Sequence, residues 1–134
     1  MNTAFSRPLT PRWSISKIQI ALVVLIALAV LINLLLYLNR GIEVVIHNVG
    51  ADPLPSVIVH VTGNSYPIGD IAAGATMRVR VCAKGESHVE LEHDKGRKLV
   101  VGCYFESGYG GTITVDVTSE QVVRIDDKIN IGPL

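Results

Sequence analysis

The chain has 134 residues, seven of them aromatic, and a formal net charge of zero. That length allows one ordinary domain or a smaller one with an appendage, and two cysteines are too few to frame a disulfide-built scaffold. The zero charge joins two unlike parts: all twelve acids follow position 41, against eight bases there, so the later part carries −4 with its signs interspersed, which argues against a nucleic-acid surface.

Residues 1–17, MNTAFSRPLTPRWSISK, are polar with two prolines and read as a short, mostly irregular cytoplasmic tail. Residues 18–38, IQIALVVLIALAVLINLLLYL, contain no charge. A helix of that length rises ~1.5 Å per residue and just crosses a bilayer core of ~30 Å. A cleaved signal peptide would carry a shorter apolar region and a small-x-small cleavage site, and YLNRG offers none. The run is therefore expected to stay as a transmembrane anchor.

Arg7, Arg12 and Lys17 precede the span without an acid, while Trp13 and Tyr37 suit its two interfaces. Bases close to a span stay on the cytoplasmic side. This predicts an inner-membrane, single-pass protein with its N-terminus in the cytoplasm and residues 42–134 in the periplasm or outside the cell. Within the span, Gln19, Leu22, Ile26, Ala29, Asn33 and Tyr37 share a helix face suited to another membrane helix.

After position 41 the sequence speaks in strands. IEVVIHN (42–48), SVIVHV (56–61), ATMRVRV (75–81), HVELEH (88–93), KLVVGCYF (98–105), TITVDV (112–117) and QVVRID (121–126) are rich in Val, Ile and Thr. Met77, Val79 and Val81 alternate with Arg78 and Arg80, and Ile113, Val115 and Val117 with Thr112, Thr114 and Asp116, as in half-buried strands. Between the runs stand NVGADPLP, TGNSYPIGD, AAGA, AKGES, DKGR and ESGYGG, rich in residues that let a backbone bend. The expectation is an all-β exterior domain: a small antiparallel sandwich of about seven strands.

VVIHNVGADPLPSVIVHVTG followed by IGDIAAGATMRVRV resembles the start of bacterial immunoglobulin-like adhesion modules of the CARDB type, over residues 44–81. Those modules carry a strand, an N-x-G turn, a second strand and an I-x-A-G signature before a third strand. The resemblance implies an immunoglobulin-like fold and is nearly silent on function.

Candidate chemistry is sparse. Cys82 and Cys103 face an oxidising compartment if the topology holds. In a meander, the turns AKGES and DKGR set both opposite about His88. The thiols would then be roughly 9–10 Å apart, beyond the ~7 Å reach of a disulfide unless the sheet folds over. The same row would offer Cys82, His88 and Cys103 as metal ligands. A one-residue slip instead turns Leu99, Val101, Cys103 and Phe105 into the core together and leaves two free thiols. His47, His60 and His93 stand singly on strands. No nucleophile elbow, phosphate loop or cofactor motif is visible.

CYFESGYGGT (103–112) gathers three aromatics and three glycines around one acid. It is a turn by construction, and Tyr104, Glu106 and Tyr109 form a contact site if Tyr109 is exposed. The leading expectation is a non-catalytic accessory or scaffold subunit of a larger membrane complex, bound through its helix and exterior β-domain to other integral membrane subunits. The alternatives are a surface module for a ligand or cell-wall component, and a metal- or thiol-dependent activity at Cys82, His88 and Cys103.

Overall fold

A computed structural model describes residues 16–38 and 40–131, in two compact units that divide after Leu38. The tail residues Arg7, Arg12 and Trp13 lie outside the described residues.

The first unit holds one helix, α1 (Lys17–Leu38), long and apolar enough to cross a membrane, with no part of its apolar window buried. Ser16 starts it. The Gln19 N–H donates to Ser16 Oγ at 3.2 Å, and the Ser16 N–H donates to Gln19 Oε1 at 2.9 Å. This reciprocal capping box satisfies two of the amide groups that a helix start leaves without partners.

The second unit is all β: β1 (Gly41–Asn48), β2 (Leu54–Val61), β3 (Asn64–Ile71), β4 (Thr76–Val81), β5 (Ser87–His93), β6 (Arg97–Phe105), β7 (Gly110–Val117) and β8 (Val122–Asn130). They form two four-stranded sheets, β4-β1-β7-β8 and β3-β2-β5-β6. Every predicted run is a strand. The eighth, β3, lies in NSYPIGDI, which its Pro and Gly residues make read as a turn. Pro67 is tolerated there because β3 is an edge strand, paired only with β2.

Two further expectations are corrected. The sheets are not wholly antiparallel, since β1 and β7 run parallel, Val44 beside Ile113 and His47 beside Asp116. Nor do β4, β5 and β6 form a meander. β4 pairs with β1 in one sheet and β5 with β2 and β6 in the other, so the chain changes sheets at residues 82–86. The Lys84 N–H donates to the Thr62 carbonyl at that crossing.

The inward rows of both sheets meet in one core. Ile42, Val44 and Ile46 of β1 and Ile113, Val115 and Val117 of β7 join Val57, Val59, Val89, Leu91 and Val101. Phe105 heads the fully buried side chains in size. On β6 the alternation runs Val101, Cys103, Phe105 inward with Leu99 half-buried, as the slipped register requires.

One buried polar residue ties the strand ends together. Asn48 has no exposed surface. Its Nδ2 donates to the carbonyls of Asp52 (2.8 Å) and Ile71 (3.2 Å), and its Oδ1 accepts from the Gly50 N–H at 3.0 Å. Its own N–H donates to the Ala75 carbonyl, and its carbonyl accepts from the Gly74 N–H. The N-x-G turn and the I-x-A-G stretch are therefore two halves of one hydrogen-bonded knot.

Candidate functional site

The outer face of the β3-β2-β5-β6 sheet carries a dense group of polar side chains. His60 on β2 stands opposite Glu90 on β5, Ile58 opposite Glu92, and Glu92 opposite Lys98 on β6. His60 is held at both ring nitrogens: Nε2–H donates to Glu92 Oε2 at 2.8 Å, and Nδ1 lies 2.7 Å from the Ser65 hydroxyl oxygen. His88 Nε2–H donates to Glu90 Oε1 at 3.0 Å, while Lys98 Nζ lies 3.7 Å from Glu90 Oε2. The hydrogen bond from His88 outweighs the opposing effect of burial and, with the charges of Lys98, His88 and His60, holds the Glu90 carboxyl below its ordinary range. A cleft of about 180 Å³ opens between His60, Val61, Thr62, His88 and Glu90.

Beside it, β6 advances from Val101 to Phe105 while β5 advances only from Val89 to Ser87. The extra length opens a shallow trough of about 530 Å³ lined by Thr62, Glu86, Ser87, His88, Gly102, Cys103 and Tyr104. Gly102 leaves a gap in the outer row of β6, with no heavy atom of another residue within 4 Å of where a Cβ would stand. Tyr104 is 55% exposed and donates its hydroxyl hydrogen to Glu106 Oε1, which pushes the phenol's proton affinity up. Chemically this is a polar wall with one aromatic plate, suited to recognition by hydrogen bonds and stacking.

No protein-family model and no curated protein matches the chain. A solved NMR structure of a protein from Eubacterium rectale is similar at a TM-score of 0.43 and 10% identity, over 63% of this chain and 87% of that one. A likeness that slight carries no argument about fold or function.

Of the loop residues singled out in the sequence, Tyr104 and Glu106 border this face. Tyr109 does not stand free: it is half-buried and packs against the core. Its N–H donates to the Glu106 carbonyl, and the Ser107 N–H ties the loop to the Gly85 carbonyl. The second glycine of GYGG has a structural duty. Gly111 adopts φ +122°, and a Cβ there would collide with the Lys128 carbonyl oxygen on β8.

Cys82, His88 and Cys103 are not brought together. Cys82 follows β4 of one sheet, Cys103 points into the core from β6 of the other, and His88 is exposed on the outer face. Both thiols are free, and no group of three His, Cys, Asp or Glu among the described residues is placed to hold a metal ion. Burial, opposed by a backbone hydrogen bond from Val89, leaves the Cys103 thiol harder to ionise than usual. Cys82 is exposed, and its Sγ donates to the Arg40 carbonyl at 3.4 Å. A neutral maleimide is therefore expected to label Cys82 in the folded protein and Cys103 only after denaturation, read by mass spectrometry. Equal labelling of both in the native state would contradict the core position of Cys103.

The other histidines have structural settings. His47 Nδ1 lies 3.3 Å from Asp116 Oδ1 on the neighbouring parallel strand. His93 is buried beside the β5–β6 turn, and neither ring nitrogen has a hydrogen-bond partner in the protein.

In the helix, Leu22, Ile26 and Tyr37 are exposed. Gln19 is spent on the capping box, which the sequence announces as Ser16-x-x-Gln19 before an apolar run. Asn33 Nδ2 donates to the Ala29 carbonyl at 2.9 Å, so what it can still offer a neighbour is its second N–H and its side-chain carbonyl oxygen. The His60–Ser65–Glu92 group was invisible in sequence because its members are spread over three strands, and only the register sets them side by side.

Proposed function

We propose that this chain is a non-catalytic, single-pass membrane protein that serves as an accessory or scaffold subunit, its helix lying against other membrane helices and its immunoglobulin-like sandwich contacting their exterior faces. The observation that carries this reading is α1: an uncharged run from Ile18 to Leu38, apolar but for Gln19, Asn33 and the Tyr37 hydroxyl, and exposed wherever its side chains are described. Such a surface is stable only in lipid or against other apolar helices. The knot at Asn48, which joins the two stretches resembling CARDB-type modules, supports the immunoglobulin-like part of the reading.

Topology follows from the bases ahead of the span. A C-terminal reporter active only in the cytoplasm stays silent on this reading, and strong cytoplasmic signal overturns it. Partnership is tested by native purification in mild detergent. Other integral membrane chains co-purify in fixed ratio, and Asn33→Leu with Tyr104→Ala together loosens them more than either alone. Tyr104 is the loop residue to vary, because Tyr109 packs against the core. A chain that purifies without companions from its native membrane sinks the proposal.

The trough between β5 and β6 favours a second reading, a surface module for a polar ligand such as a cell-wall saccharide. Tyr104 would supply the stacking plate, and Glu86, His88 and Thr62 the hydrogen bonds. Retention of the chain on isolated cell wall, lost in Tyr104→Ala, selects this reading over the first.

A further inference from the structure

A two-sheet domain has four edge strands, each a row of backbone groups able to pair with another chain. Here β3, β4, β6 and β8 are the edges. β3 is blunted by Pro67 and by the irregular pairing around Gly69. β4 is six residues long with Arg78 and Arg80 facing out. β8 carries Arg124, Asp126, Asp127 and Lys128, all exposed. β6 differs: from Leu99 to Phe105 it has neither a charge nor a proline, and its outer row exposes Val100 (59%) and Tyr104 (55%). Its irregularity lies on the side facing β5.

We propose that β6 pairs antiparallel with β6 of a second copy of this chain, about a two-fold axis at Gly102, so that the two β3-β2-β5-β6 sheets join into one. The occupant is read from the strand's own complementarity. With Gly102 opposite itself, Val100 of each copy stands opposite Tyr104 of the other. Lys98 of each stands opposite Glu106 of the other, giving opposite charges at both ends of an uncharged middle. The inward row continues without a break, Leu99 against Phe105 and Val101 against Cys103. Aromatic–β-branched pairs and opposite charges are the cross-strand pairs that stabilise a sheet. The interface is isologous, as a two-fold requires, so every contact is made twice. Lys98 is 56% exposed at its side chain and only loosely placed near Glu90, so its ammonium can serve a second carboxylate. The Glu106 hydrogen bond holds Tyr104 at the strand margin. Sliding one strand by two residues puts Val101 or Cys103 opposite itself, a slide of four does so for Val100 or Tyr104, and either loses both ion pairs.

The full chain in detergent, in a Cys82→Ser background, tests the register through cysteine cross-linking. Gly102→Cys fits its site, because nothing crowds the Cβ and the backbone there is not left-handed. Under mild oxidation it is expected to give a disulfide-linked dimer. Val100→Cys alone stays monomeric, since positions 100 of the two copies lie about 13 Å apart at ~3.3 Å per residue, too far for a disulfide. Co-expressed Val100→Cys and Tyr104→Cys chains cross-link to each other. Charge gives the second reading, by sedimentation. Lys98→Glu weakens the dimer about tenfold, as expected when two opposite-charge pairs become two like-charge pairs. Lys98→Glu with Glu106→Lys restores it, which a merely structural role for Lys98 would not allow. Absence of the Gly102→Cys dimer, equal cross-linking at Val100→Cys alone, or failure of the charge swap to restore association each overturns the self-pairing, and a strand from another protein would then be the occupant to seek.

Discussion

Asn48→Ala is expected to destabilise the β domain by about 2–4 kcal/mol, because it strands three backbone groups, of which the buried Ile71 carbonyl carries most of the ~1–3 kcal/mol that a buried group costs when left without a partner. The groups are the carbonyls of Asp52 and Ile71, which lose their donor, and the Gly50 N–H, which loses its acceptor. Water cannot replace the amide freely, since the residue has no exposed surface. Domains of this size hold only ~5–15 kcal/mol in total, so the variant should sit near the edge of unfolding. Asn48→Asp distinguishes hydrogen bonding from simple loss of volume. It keeps an acceptor for Gly50 but turns an oxygen toward two carbonyls, and burying that charge without a donor should cost at least as much. Denaturant unfolding of the two variants checks this. A loss under about 1 kcal/mol for Asn48→Ala, the typical net value of a single hydrogen bond, would mean that the knot is not cooperative.

Gly111→Ala should be comparably damaging, while Gly110→Ala, one residue earlier, should be nearly silent. The two glycines look alike in sequence. At Gly111 the backbone has φ +122°, and an added Cβ would fall on the Lys128 carbonyl oxygen, with Ile129 Cα also within 3.0 Å. Both obstacles are backbone, so β8 itself must move. Left-handed strain of ~1–3 kcal/mol and overpacking of ~1–3 kcal/mol combine to about 2–6 kcal/mol. At Gly110 nothing lies within 4 Å of the Cβ position and φ is not left-handed, so the change should stay within ~0.5 kcal/mol. Thermal unfolding of both variants settles the pair. Equal melting temperatures would show that β7 and β8 approach less closely than described.

These variants show why the CYFESGYGGT stretch was hard to read. Its concentration of aromatics and glycines suggests a recognition loop, yet the parts separate by function. Phe105 fills the core, Tyr109 folds back on it, Gly111 lets two strands close, and Tyr104 with Glu106 stays on the surface. A composition-based reading cannot divide them, because whether a tyrosine is exposed depends on what crosses beside it. Cys103 is similar. Two registers were open to it, and the inward one is occupied because it buries Val101, Cys103 and Phe105 on one side without exposing any of them.

The sequence by itself determined the uncharged apolar run, the onset of β structure to within one residue (Ile42 expected, Gly41 found), seven of the eight strands, and the alternation on β4 and β7. These are local properties: an unbroken apolar run and a period of two are written residue by residue. The helix cap at Ser16 and Gln19, three residues in reach, is equally local, although Gln19 reads in the sequence analysis only as part of the membrane-contact face. Only the tertiary structure decided which strands are neighbours: the parallel pairing of β1 with β7, the change of sheet between β4 and β5, and the edge position that lets Pro67 sit in a strand. Those choices depend on which apolar faces bury each other across dozens of residues, and several arrangements of the same strands satisfy the same local pattern. The polar face follows from them. His60, Ser65, Glu90 and Glu92 meet because β3, β2 and β5 lie side by side in one register, and no spacing along the chain encodes that.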